Sequence, residues 1–464
     1  MQQMSIHGSA TAAARLRGAL QGRVIEPDDP AYDAARAVYF TGIDRRPAAV
    51  VRAADAADVA RTILLARDAG LEIAVRSGGH SLAGHGVSDG GIVLDLSAMR
   101  ALDVDVESRT AWAETGITAG DYTAAVATHG LATGFGDAPS VGIGGITLAG
   151  GVGFLHRRHG LTIDQLLAAE VVTADGERVY ADAHTNPDLF WAIRGGGGNF
   201  GVVTRFKFQL HEVPNVVGGM LVLPATPETI AGFIAASEAA PEELSGIGNV
   251  MSAPPMPFLP VDAHGKLIIM AFLVYAGEAE AGERALAPFR ALATPLADML
   301  KSMPYPEIYP SEEGADEYHP VAASRTMFVD RVDRSVAETI VNHLNASTAM
   351  MKVAQLRVLG GAMARVPADA TAFAHRNSKI MVNIAALYQN PEEKATHEAW
   401  VADFASAILQ KDRGAYVNFL GDEGQARIRA AYPGSTWDRL AEVKARYDPT
   451  NLFRLNQNIA PATA

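Results

Sequence analysis

The residues best placed to do chemistry in this chain lie in glycine-rich loops, and the most reactive side chain among them is His80. It sits in RSGGHS, Arg76–Ser81, with Gly84 and Gly86 close behind. A glycine pair in such a loop lets backbone amides approach an anion without a Cβ atom in the way. Two readings of His80 are open: a loop imidazole bonded to nearby backbone, or a nucleophile or cofactor ligand held in an anion-binding loop. His85 offers a second imidazole, but no carboxylate or thiol nearby completes a ligand set, so no metal site is expected. Three further segments share this character: VGIGGITLAGGVG at Val141–Gly153, RGGGGNFG at Arg194–Gly201 and LNQNI at Leu455–Ile459.

The third segment needs a check. Gly196, Gly198 and Gly201 satisfy GxGxxG, yet that fingerprint needs a helix after it so that pyrophosphate meets the helix N-terminus. Here VVTRFKF follows, which reads as a strand, and the dinucleotide reading is rejected. There is no GxxxxGK[ST] and no HExxH. The chain has no cysteine, so disulfides, iron–sulfur clusters and cysteine nucleophiles are excluded. Its net charge of −13 argues against a nucleic-acid partner. Any phosphate must therefore be held mainly by backbone amides, and the 44 glycines are where to look.

The elements that position these loops change character along the chain. At roughly 100–200 residues per domain, 464 residues suggest two or three. Up to about Leu210 short apolar strands alternate with helical connectors. Ala57 to Ala69 carries a helical apolar stripe stopped by Gly70. Leu71–Val75 and Gly91–Leu96 read as strands flanking the RSGGHS loop. Glu170–Tyr180 reads as a hairpin with a two-residue Asp175-Gly176 turn. Phe200–Leu210 is another strand. Beyond Pro214, the strands Met220–Leu223, Lys266–Tyr275, Gln355–Leu359 and Lys379–Tyr388 alternate with helices near 227–240, 278–293, 335–348 and 391–410, which suits an antiparallel sheet. The tail from Tyr416 predicts two short helices and a loop. The N-terminal twenty residues lack the pattern of a targeting segment, and the longest apolar run, Leu267–Ala276, is too short to span a bilayer. A cytoplasmic protein is the expectation.

Taken in order, the motifs resemble flavoproteins with the vanillyl-alcohol-oxidase, or PCMH, type of FAD domain, specifically the bacterial berberine-bridge-enzyme-like branch. The resemblance rests on RSGGHSLAGHGVSDGGIVLDLS, GGITLAGGVGFLHRRHGLTIDQLL and NPDLFWAIRGGGGNFGVVT. It continues through GGAMARV, AYVNF and DPTNLFRLNQNI. It implies an α+β fold: an FAD-binding domain of two α+β subdomains over 1–212, and a substrate domain with a helix-covered antiparallel sheet over 213–414. A segment over 415–464 then returns to the FAD domain. It implies FAD bonded through its 8α carbon to His80. Arg76, Ser77, Gly78, Gly79 and Ser81 would wrap the pyrophosphate, and Gly142, Gly144, Gly145, Thr147, Gly150 and Gly153 would run along the ribityl chain and ring. Val203 would meet the adenine end, and Asn418 and Asn456 would come from the tail.

Two departures bear on function. Many relatives attach FAD through a second residue, a cysteine in a loop resembling AGxCPTVG; here FGDAPSVG places Ala138 there, so a single attachment through His80 is expected. The resemblance also places Ile143 over the ring, where a valine favours reaction with dioxygen. The expected activity is oxidation of a C–OH or C–N bond in a small organic molecule by hydride transfer to the flavin. Alternatives are a flavin-dependent oxygenase of secondary metabolism, a dehydrogenase with poor oxygen reactivity, and a non-catalytic flavin carrier. Tyr416 matches a family tyrosine near the flavin, and as a base it would need a lowered pKa. Asn383 could only orient a substrate. Gln355 and Arg357 share one strand face and either line the substrate side or meet solvent. Tyr305, Tyr309 and Tyr388 read as packing or pocket-wall residues. The expected partners are a small-molecule substrate and dioxygen or another electron acceptor, without nucleic acid or membrane, and a homodimer is compatible with the reading.

Overall fold

Three main sheets and a two-stranded ribbon organise residues 17–309 and 321–463, which the computed structural model describes. The first sheet runs in the order Arg23–Ile25, Ala49–Arg52, Ile92–Asp95, Ile73–Arg76, with the last three strands parallel. The helix Ala56–Asp68 crosses between Ala49–Arg52 and Ile73–Arg76. It starts because the Asp55 carboxylate accepts the Ala57 and Asp58 amides at 2.8 Å, and it stops at Gly70, whose φ of +65° suits a residue without Cβ. Its Val59, Ile63 and Ala66 pack on Val51, Ile92 and Leu94. The RSGGHS loop leaves the end of this sheet, and residues 1–16, most of the N-terminal segment read for targeting, lie outside the described residues.

The second sheet is antiparallel, in the order Leu102–Asp105, Thr110–Glu114, Val202–Gln209, Leu166–Val172, Arg178–Asp182. The hairpin near 175 forms, but its turn is wider than two residues. Val172 pairs with Arg178, Thr173 N–H donates to Glu177 O at 2.9 Å, and of the Asp-Gly pair only Gly176 has a positive φ, +79°. The Thr173 hydroxyl bonds the Asp175 carboxylate, which favours this wider form.

The third sheet holds eight antiparallel strands among the described residues. Its main path is Ala297–Asp298, Asn215–Pro224, Leu267–Tyr275, Leu244–Ser252, Met351–Val358, Ile380–Tyr388, Val321–Val329, with Lys301–Pro304 beside one end of Asn215–Pro224. Its alternation is clean. Ala354, Leu356, Val358, Val382, Ile384 and Ala386 face the helices 227–239, 279–290, 334–346 and 394–407, while Gln355, Arg357 and Asn383 point to the opposite side. Leu244–Ser252 is not announced by its sequence, because Gly246, Gly248 and Asn249 carry little strand propensity; pairing on both sides forms it. Tyr305 and Tyr388 are buried in cores, and Tyr309 packs beside Tyr305.

Arginine and lysine tie the parts together. Arg157 donates to the carbonyls of Ser237 and Leu244 at 2.7 and 3.1 Å and to that of Ala240 at 3.0 Å, around the end of the helix Pro227–Ala239. In the tail helix Ser435–Tyr447, the fully buried Lys444 donates to Asp448 at 2.7 Å and to the carbonyls of Asn199 and Phe453, each at 2.8 Å. No helix of the described residues is long and apolar enough to cross a membrane.

His156 makes the junction between the first part and the large sheet sensitive to acid. Its Nδ1 lies 2.7 Å from Gly153 O and its Nε2 3.3 Å from Val358 O. Burial pushes its pKa down to about 4, outweighing the two carbonyls, which favour the protonated ring. The folded value lies below the unfolded one, so the stability contributed by the neutral ring is complete above about pH 6.5 and is lost as pH falls towards 4. The shift corresponds to roughly 3 kcal/mol. Melting temperatures followed from pH 7 to pH 4 should fall, and more shallowly in His156→Gln; an unchanged slope would assign the acid sensitivity elsewhere.

Candidate cofactor and active site

The glycine loops and the polar face of the large sheet enclose a cavity of about 600 Å³, within the range of small-molecule and cofactor sites. One wall is loop: Arg76–Ser81, positions 136–138, 141–142, 144–146 and 148–149, positions 197–199 and 201–203, and the returning tail at 416–420, 453 and 455–457. The other is sheet, with Ala322, Ser324, Gln355, Arg357, Asn383 and Ala385 on it.

Close backbone approach explains the glycines. A Cβ on Gly78 would lie 2.2 Å from Gly142 N, and one on Gly142 would lie 2.0 Å from Ser77 Oγ. Only without side chains can the two loops meet. Ser77 Oγ donates to Thr115 O at 2.6 Å and accepts from Gly144 N–H, and Ser81 Oγ accepts from His85 N–H, so both hydroxyls serve the loops themselves. Gly145 faces open space. Val203 and Asn418 line the cavity, and Asn418 Nδ2 donates to Ile146 O at 3.2 Å and to the Tyr416 hydroxyl at 2.9 Å.

Several expected positions stand behind the wall. Thr147, Gly150 and Gly153 do not line the cavity. Gly153 is required by packing, since a Cβ there would overlap Phe135 O, and Gly150 lies against the Phe373 and Tyr416 rings. Ile143 is fully buried in the core of the second sheet with Ile117, Tyr122 and Phe135, because the short helix Ile143–Leu148 turns Ile146 to the cavity instead. Ile143 therefore does not face the cavity in which the expected ring would lie.

Charge on the wall is already engaged. Arg76 donates to Asp95 at 3.0 Å and to the carbonyls of Ala35 and Ala37. Burial alone would raise the Asp95 carboxyl, but Arg76 and Ser97 hold it below the usual carboxylate value. Arg357, 2% exposed, donates to Asp137 at 2.6 Å, to Val152 O at 2.9 Å and to Gln355 Oε1 at 2.8 and 3.1 Å. Gln355 Nε2 donates in turn to Asn249 Oδ1 at 3.0 Å. Asn383 is the direct cross-strand partner of Gln355, and its Oδ1 is buried without a hydrogen-bond partner among the described residues. Tyr416 is buried, and its oxygen accepts from Gly151 N–H, Val152 N–H and Asn418. Burial pushes its phenol above the usual value, although these three donors pull the other way. The lowered pKa that a base requires is not what these surroundings supply.

His80 lines the cavity with its ring stacked on Tyr39, centroids 4.3 Å apart. Burial and the charge of Arg45 push His85 down to about 4. No group of three or more metal-ligating side chains occurs among the described residues. Asp137, Tyr39 and Phe40 also line the cavity, and sequence reasoning missed them. Asp137 lies inside FGDAPSVG, where only the missing cysteine draws notice, and Tyr39 and Phe40 precede every glycine motif.

A dinucleotide suits this cavity. Its phosphates would meet loop amides with no uncommitted guanidinium on the wall, and the buried, unpartnered Asn456 Oδ1 offers an acceptor at the tail side. Fold and cavity together define an FAD-binding oxidoreductase. An FAD-binding-domain family model matches residues 47–182, and a berberine and berberine-like model matches 415–460. The chain is 31% identical over 459 residues to the (R)-6-hydroxynicotine oxidase of Paenarthrobacter nicotinovorans, covering 95% of this chain and 97% of that protein. The crystal structure of 6-hydroxy-D-nicotine oxidase from Arthrobacter nicotinovorans superposes with a TM-score of 0.85 at 28% identity, over 96% of this chain and 98% of the other. A glucooligosaccharide oxidase from Acremonium strictum, described with 6-S-cysteinyl, 8α-N1-histidyl FAD, gives 0.85 at 25% identity over 98% and 100%. The chain belongs to the berberine-bridge-enzyme-like FAD-linked oxidoreductases.

Gly142→Ala should separate the two loops and lower retained FAD at least tenfold, measured as flavin absorbance per chain, while far-ultraviolet circular dichroism stays near wild type. Full flavin content in that variant would show that the loop contact is not needed.

Proposed function

We propose that the protein carries FAD bonded to His80 alone and oxidises a C–OH or C–N bond of a small organic molecule. The observation that carries this reading is a single cavity with His80 and the glycine loops on one wall and the polar strip Gln355–Asn383 on the other. Ala138 lines the cavity where doubly attached relatives carry cysteine, which supports a single bond. The nicotine and oligosaccharide oxidases among the relatives make amines and sugars the first candidates. Bound FAD supplies the two-electron acceptor for hydride.

The chain's own groups divide the remaining work. Asn383 Oδ1 accepts a donor hydrogen from the substrate, so that its buried oxygen is no longer orphaned. Gln355 holds the Arg357 guanidinium in place. Tyr416, kept protonated by burial, offers its hydroxyl rather than removing a proton. Asp137 is the one carboxylate among the described residues lining the cavity, and we assign it the role of proton acceptor from the reacting OH or NH.

Wild-type protein should keep its yellow colour through acid precipitation, and His80→Ala should lose it; acid-stable flavin in that variant would remove the attachment claim. Alcohols, amines and sugars screened anaerobically should include one that bleaches the flavin band. With that substrate, Asp137→Asn should slow bleaching by roughly 10²–10⁴-fold, whereas an unchanged rate would return the base to another residue.

A further inference from the structure

The segment before the first glycine motif is tied to it by three contacts. Tyr39 N–H donates to Gly79 O at 3.2 Å, and the Arg76 guanidinium reaches back to the carbonyls of Ala35 and Ala37. Gly79, with φ +73°, turns the loop at this point, directly before His80. The result is a near-parallel stack of the Tyr39 phenol ring on the His80 imidazole, 4.3 Å between centroids and 21° between planes. Phe40 stands edge-on to Tyr39 at 5.1 Å and 82°, buttressing the stacked ring. All three rings line the cavity.

We infer that Tyr39 is a positioning residue for flavin attachment, holding the His80 ring plane so that a ring nitrogen meets the flavin 8α carbon. The inference rests on the reading that His80 carries the flavin. Attachment replaces one C–H of the 8α methyl group and the imidazole N–H by a single N–C bond. Two protons leave, and the two electrons pass to the flavin ring and then to dioxygen, giving hydrogen peroxide. The orientation of a half-buried histidine ring on a glycine loop is set by two side-chain torsions. A stacked aromatic ring restricts both, and fixed geometry is what converts a bound pair into a reacting one.

The test follows attachment, not turnover. Full-length protein produced without flavin is mixed with FAD, and acid-precipitable flavin is measured over time beside total bound flavin. Tyr39→Phe, which keeps the ring, should attach at the wild-type rate. Tyr39→Ala should bind similar total FAD but attach it roughly tenfold more slowly. Should the alanine variant not fold, Tyr39→Leu, which fills the space without an aromatic face, should show the same slowing. Wild-type rates in Tyr39→Ala or Tyr39→Leu overturn the role, and so does a slow Tyr39→Phe, which would move the effect to the hydroxyl. Wild-type protein with no acid-stable flavin overturns the His80 reading itself and this role with it, an outcome distinct from a variant that attaches normally.

Discussion

The architecture of the site hangs on one buried ion pair, Lys444 with Asp448. Neither side chain has solvent access, and each is saturated: the ammonium by Asp448 and the carbonyls of Asn199 and Phe453, the carboxylate also by the amides of Leu452 and Phe453 at 2.8 Å. Such a pair adds little net stability over apolar packing, but removing one partner strands a charge and costs about 3–5 kcal/mol. Against a typical total of roughly 5–15 kcal/mol, that is a commitment to one arrangement. The arrangement joins the loop at 197–201 to a distant part of the chain, the last long helix and the tail that follows it into the cavity at Leu455–Gln457. The tail is therefore part of the wall, although the whole of the third sheet, from Asn215 to Tyr388, lies between it and the loops it completes in the chain.

Much of this was legible in the chain. Glycine density marked the loops because their backbones must touch, and the contact of Gly78 with Gly142 is the physical content of that density. Alternation in Gln355–Leu359 put Gln355 and Arg357 on one face, but left open what that face meets; the strand register places Asn383 beside Gln355. The illegible part has physical causes too. Thr147, Gly150 and Gly153 belong to a motif that is glycine-rich for two different reasons, cavity access and core packing, and spacing does not separate them. Ile143 sits in the same run, and its direction depends on the six-residue helix that carries it. Tyr39 and Asp137 matter through partners supplied by other elements, His80 and Arg357, and no local pattern announces such a pairing.

The electrostatic logic of the cavity follows from where its cations are spent. The chain carries an excess of acid, and the two guanidiniums on the wall hold the protein to itself: Arg76 clasps the segment ahead of the RSGGHS loop, and Arg357 clamps the Asp137 loop to the sheet. Amides then face the anion. This division keeps fixed partial charges, which cost no reorganisation, for the ligand, and full charges for the scaffold.

The same division explains why charge on the substrate side is confined to one ion pair, Arg357 with Asp137. A sheet face that alternates strictly with a packed core has room for only a few polar positions, here Gln355, Arg357, Asn383 and Ser324. Arg357 is consumed by Asp137, Gln355 by Arg357 and Asn249, and the chain of bonds ends before Asn383, whose Oδ1 is buried without a partner among the described residues. A buried acceptor of this kind destabilises the free protein, by about 1–3 kcal/mol. A site that retains one gains selectivity for ligands that bring a donor to it, since an analogue without the donor leaves the deficit in place. On the sheet face the polar network thus stops one group short, at an acceptor that a molecule from outside can complete.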